Sequence, residues 1–141
     1  MAAQLAGPPT ALRPGIAEAS FQRTIIDTAR LFGWAVYWPP VNRPGVGGRV
    51  QDVTAGWPDL VLLHPPTGRA LFRELKTAAG RIRPEQAVWL DALSRCGLDA
   101  ELWRPGDWPE IVATLGAPPA DDTGRASFLR SRARGDGRDD T

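Results

Sequence analysis

Apolar and polar positions change their period several times along this chain, and each change marks an element. Phe21, Ile25, Ala29 and Phe32 recur at steps of four, four and three, the inner stripe of a helix of about four turns that Gly33 terminates. Trp34 to Trp38 is aromatic and β-branched, which predicts a strand, and Pro39 to Gly56 is a long Pro/Gly-rich loop carrying Arg43 and Arg49. Asp59 to His64 and Arg69 to Lys76 are two further strands around the turn formers Pro65-Pro66-Thr67-Gly68, so they should make a hairpin. Pro84 opens a second helix, whose stripe of Trp89, Leu90, Leu93 and Cys96 ends at Gly97, and Leu98 to Trp103 is another strand. Asp107 and Glu110 form a capping pattern before Ile111, Val112 and Leu115, a short helix closing at Gly116. The order α, β, β, β, α, β, α without internal repeats predicts an α/β fold with helices on both faces of one sheet.

The ends lack this patterning. Residues 1–16 hold three Pro among small residues, and residues 117–141 are rich in Arg, Asp and Gly with few large apolar side chains. Both are expected to be disordered, which leaves 17–116 as the single domain. A length of 141 residues fits one domain with a real core. One cysteine, Cys96, excludes a disulfide framework or a Cys-rich zinc site, and one histidine, His64, excludes any site built on two imidazoles. A Ser-His-Asp or Cys-His enzyme would have to use His64, a strand-end residue expected at the surface. No stretch has the length of a membrane span or the form of an export signal, and a reducing cytoplasm, bacterial or phage-infected, is the expected location. The net charge of +1 does not point to nucleic acid, with 11 basic and 11 acidic groups in 17–116 and five of each in 117–141. The cations are unusual in kind: 16 are Arg and one is Lys76.

The hairpin turn carries the chemistry. If His64 pairs with Arg69, partners sum to 133 and Asp59 stands opposite Glu74. Carboxylates opposed across a strand pair lie about 5 Å apart at Cβ and repel unless something neutralises them, as a divalent cation would. Strand alternation puts Glu74 and Lys76 on one face and Leu75 on the other. Glu18, three and seven residues before Phe21 and Ile25, continues the stripe of the first helix, with Gln22 a turn later on its side. Gln86, four residues before Leu90, begins the inward stripe of the second helix. Hard oxygen donors without His or Cys favour Mg²⁺ or Mn²⁺ over zinc.

Taken together, Glu18 and Gln22 on a helix, Gly56-Trp57-Pro58-Asp59-Leu60, Glu74-Leu75-Lys76 and Pro84-Glu85-Gln86 resemble the virus-type replication-repair nuclease (VRR-NUC) domain of the PD-(D/E)xK superfamily over about residues 17 to 115. The resemblance implies a restriction-endonuclease-like αβββαβ core with a mixed central sheet flanked by helices. It implies a metal-dependent endonuclease for DNA, with Asp59, Glu74 and the Leu75 carbonyl as ligands of Mg²⁺ or Mn²⁺. Glu18 would then support the metal or its water, Lys76 would act at the nucleophile, and Gln22 and Gln86 would assist. That the one Lys falls on this motif has a chance of about one in 17. Arg43, Arg49, Arg81 and Arg83 flank the site and are expected to meet phosphates, and Trp57 to stack on a base, whereas Trp34, Trp89 and Trp103 read as packing. Cutting paired strands of a duplex or junction takes two sites, hence an expected homodimer, with no organic cofactor. Two rivals keep the fold: a non-cleaving module that binds nucleic acid or protein, and an accessory protein that docks a partner through its Arg-rich tail.

Overall fold

In the computed structural model, residues 6–39 and 55–116 are described; Arg43, Arg49 and residues 117–141 lie outside them. Three helices, α1 (Glu18–Leu31), α2 (Pro84–Arg95) and α3 (Trp108–Gly116), accompany four strands, β1 (Ala35–Tyr37), β2 (Leu60–His64), β3 (Arg69–Leu75) and β4 (Asp99–Trp103). Their order along the chain is the one the periodicities predict. The strands lie side by side as β1-β2-β3-β4 in a mixed sheet, antiparallel from β1 to β3, with β4 parallel to β3. This is the α/β architecture of a restriction-endonuclease-like core.

The turn fixes the register of the central hairpin. Pro65–Thr67 form a single 3-10 turn and Gly68 closes it in the left-handed region at φ 66°, a conformation open to glycine without a Cβ clash. His64 therefore pairs with Arg69 and Leu60 with Arg73, the expected register. His64 is half-buried against Trp34, at 5.0 Å between ring centroids, and its Nδ1 lies 2.7 Å from Thr67 Oγ1.

Alternation along β2 and β3 gives the sheet two faces. Leu60, Leu62, Leu71 and Leu75 pack with Phe21, Ile25 and Ala29 of α1 and with Ile111 and Leu115 of α3, the main apolar core, which also takes Trp34 and Trp103. On the other face Phe72 meets Trp57, Trp57 meets Trp89 of α2, and Gln86 of α2 reaches Glu74. Arg73 is the exception within the core face. It is only 1% exposed, and its guanidinium pairs with Asp99 at 2.8 Å, donates to the Asp99 carbonyl at 2.8 Å and lies 4.7 Å over the Trp103 ring. Burial pushes its pKa down, and Asp99 opposes that shift.

Three expectations are corrected. Residues 6–16 are not a loose end: Leu12 and Ile16 pack against the core, and the indole N–H of buried Trp108 donates to the Pro9 carbonyl at 2.8 Å. Cys96 caps α2 at its C-terminus and is exposed, because the helix ends before its stripe completes another inward turn. Asp107 does not cap α3 together with Glu110; its carboxylate accepts the Arg104 backbone N–H at 2.8 Å, closing a 3-10 turn so that α3 starts at Trp108.

Candidate active site

The opposed carboxylates sit where β2 begins and β3 ends. Gly56 lets the chain reach that point. Its φ is 84°, and a Cβ there would lie 2.5 Å from the Glu85 carbonyl carbon and 2.8 Å from the Gln86 nitrogen, so the chain passes flush against the first turn of α2. Pro58 is buried, and Asp59 follows with its Oδ2 accepting the Leu75 backbone N–H at 2.8 Å. That bond ties the carboxylate of one strand to the backbone of the next, one residue from Glu74.

Glu74 is 2% exposed. Its Oε1 accepts the Gln86 side-chain amide at 2.5 Å and lies 3.5 Å from Lys76 Nζ, while its Oε2 is buried without a hydrogen-bond partner among the described residues. Burial, followed by the charge of Asp59, raises the Glu74 pKa from 4.5 to about 8, and Lys76 pulls it back in part. Lys76 has 13% of its side chain exposed, and its backbone N–H donates to the Trp103 carbonyl at 3.2 Å, which anchors it at the end of β4.

Gln86 acts at both ends of its amide. Its Oε1 accepts the Arg83 backbone N–H at 2.8 Å, the reach-back of a third-position Gln at a helix start, and its Nε2 is thereby aimed at Glu74. Sequence periodicity places Gln86 inward; this double use also explains why the residue is an amide, since a carboxylate could not donate to Glu74. Arg104, which the pattern did not single out, donates to the Thr77 carbonyl at 2.6 Å and the Gly80 carbonyl at 2.7 Å, bracing the loop that follows Lys76. Its signal in the sequence is faint, a lone Arg between Trp103 and Pro105.

Other expected members make no bond to the carboxylates among the described residues. Glu18 is the first residue of α1 and is exposed rather than continuing the buried stripe, and Gln22 is half-buried; among the described residues no hydrogen bond or ion pair joins either to Asp59 or Glu74. Among the described residues no group of three or more His, Cys, Asp and Glu is positioned to hold a metal. Trp57 is half-buried edge-to-face between Phe72 and Trp89, which gives it a packing role beside any contact with a base. Trp89 is half-buried and its indole donates to the Ala55 carbonyl at 3.0 Å, tying Ala55, next to Gly56, to α2. Arg81 and Arg83 are exposed near the start of α2, Arg83 at 3.5 Å from Glu85.

The residues present fit a hard divalent cation. Two carboxylates converge, one keeps a buried oxygen that no described residue hydrogen-bonds, and the neighbouring ammonium and amide both engage its other oxygen.

No helix of the described residues is long and apolar enough to cross a membrane. Comparison with curated proteins and with solved structures gives no match. Residues 47–105 do match the family model described as the VRR-NUC domain, a stretch that holds Asp59, Glu74, Lys76 and Gln86 and leaves out Glu18 and Gln22. With the register, the sheet order and the carboxylate pair as described, this stretch is similar to the VRR-NUC domain, a likeness that points to a nuclease-type function.

Proposed function

We propose that this domain hydrolyses DNA phosphodiester bonds with Mg²⁺ or Mn²⁺ held by Asp59, Glu74 and the Leu75 carbonyl. The observation that carries the reading is the buried, unpartnered Oε2 of Glu74 beside Asp59 and Lys76. A divalent ion bound there supplies Lewis-acid polarisation of a phosphoryl oxygen and a water of lowered pKa. The protein's own groups do the rest. Gln86 holds Glu74 in one rotamer, and the Asp59 bond to the Leu75 N–H holds the second carboxylate against β3. Lys76 orients the attacking water through a compact ammonium whose N–H groups donate to it, a geometry that the bulkier planar guanidinium does not reproduce. Glu18 and Gln22 serve at the rim, toward the nucleophile's water. Arg81 and Arg83 contact flanking phosphates, as do Arg43 and Arg49 of the long loop, and the substrate is branched or junction DNA cut by a homodimer.

The test is a panel of flap, junction, nicked, paired and single-stranded DNAs incubated with Mg²⁺, Mn²⁺ or EDTA. Metal-dependent cleavage of at least one supports the proposal. Binding without cleavage under every metal condition favours the rival, a non-cleaving module, a reading to which the exposure of Glu18 lends its weight.

A further inference from the structure

A groove of about 580 Å³ lies along the N-terminal strap, the loop after Lys76 and the turn at Pro105. Leu12, Pro14 and Ile16 of the strap line it together with Ala78, Ala79 and Pro105. The groove adjoins the carboxylate site through the chain itself: Thr77, in its lining, directly follows Lys76, and Ala17, also in its lining, directly precedes Glu18. Its far wall is held in place, because Arg104 donates to the carbonyls of Thr77 and Gly80. The strap is held too, by Leu12 and Ile16 on the core and by the Trp108 bond to Pro9. The volume falls within the range of about 300–1,000 Å³ typical of pockets for small organic groups.

The chemistry of the lining narrows the occupant. The lining is mostly apolar; among the described residues no acidic residue lines the groove, and the charged residue that does is Arg13. A ligand with flat apolar faces and an attached anion meets both features. A base paired and stacked in a duplex has its faces already covered, so only an unpaired base has them to offer.

We propose that this groove receives an unpaired nucleotide of the DNA strand, with its base against the proline and alanine lining and its phosphate toward Arg13. The inference rests on the nuclease reading and names the substrate feature that reading leaves open: a single-stranded element next to the phosphate that is cut.

The experiment is fluorescence anisotropy in EDTA with the full chain and three labelled probes of one length: a single strand, the same strand with abasic positions, and a blunt duplex. The protein is wild type, a groove-filling Ala78→Leu/Ala79→Leu double variant and an Ala78→Ser control, each checked by thermal melting. Both alanines are exposed, so the fold should accept these changes. The single strand should bind wild type and Ala78→Ser more tightly than the duplex, and lose about tenfold in affinity on removal of the bases or on filling the groove, the scale of one well-buried contact. Duplex affinity should not move. Equal affinity for the intact and abasic strands, or an unchanged single-strand affinity in the filled variant, overturns the proposal. Cleavage with Mn²⁺ separates the two readings: DNA cut without regard to unpaired bases overturns the groove alone, and groove-dependent binding without any cleavage overturns the nuclease reading alone.

Discussion

Glu74 is held under opposing demands. It is buried beside another carboxylate, which favours its protonated form, and it faces Lys76, which favours its charge; burial wins and its pKa rises to about 8. The consequence for stability has a definite sign. A carboxyl whose folded pKa lies above its unfolded 4.5 binds more protons in the folded state, so its contribution is fully present below about 4.5 and is lost as pH rises through about 8. In Glu74→Gln that loss should vanish. Thermal melts of the metal-free proteins should coincide near pH 5 and separate by pH 9, with the variant the more stable; parallel melts across that range would contradict the burial argument. Asp59 is different, because its carboxylate accepts the Leu75 N–H, and Asp59→Ala trades relief of repulsion for an unsatisfied backbone donor. Lys76 is tested by Lys76→Arg. If charge alone matters, Arg serves. If a compact group that can share a proton is needed, single-turnover cleavage should fall by about 10² to 10⁴ while DNA affinity persists. Cleavage within a few-fold of wild type would reduce Lys76 to a positioning charge.

At the scale of elements, the site depends on how closely the segment before β2 approaches α2. Gly56 and Gly68 both have positive φ, yet their surroundings differ. A Cβ on Gly56 would collide with the Glu85 and Gln86 backbone, whereas nothing lies within 4 Å of one on Gly68. Gly68→Ala should cost about 1 kcal/mol of backbone strain. Gly56→Ala should cost more, roughly 2–4 kcal/mol, because α2 must also shift and carry Gln86 away from Glu74. Urea unfolding of the two variants measures the difference, and equal losses would show that the approach at Gly56 is softer than it looks. The same elements show what a sequence can disclose. The hairpin register was legible because a four-residue turn and strand alternation are local, and they placed Asp59 against Glu74 without any tertiary information. Gln86 was legible because it begins a helical stripe. Arg73 was not, since an Arg inside a strand signals nothing until Asp99 on a parallel strand is brought to it. Cys96 was misread because the apolar stripe extends one residue beyond the point where the helix still faces the sheet.

For the whole molecule, the packed unit extends N-terminally beyond the periodic region. The strap from Pro9 to Ile16 has no helical or strand pattern, so only tertiary contacts reveal that it seals Trp108 and walls the groove. Glu18 likewise could be placed on a helix side by spacing, but its exposure at the first residue of α1 is a tertiary fact. A single carboxylate pair per domain leads to the expectation of two copies in the active form, and light scattering should give a dimer, free or on branched DNA; a monomer under both conditions would remove that part of the account. The central claim is that Asp59 and Glu74 form the metal site of a DNA phosphodiesterase. Single-turnover cleavage with Mn²⁺ by wild type and Glu74→Gln, with metal-free melting as the check on folding, addresses it most directly. The account predicts cleavage by wild type and its loss in Glu74→Gln at equal or higher metal-free stability, and nicking by Glu74→Gln at the wild-type rate would contradict it.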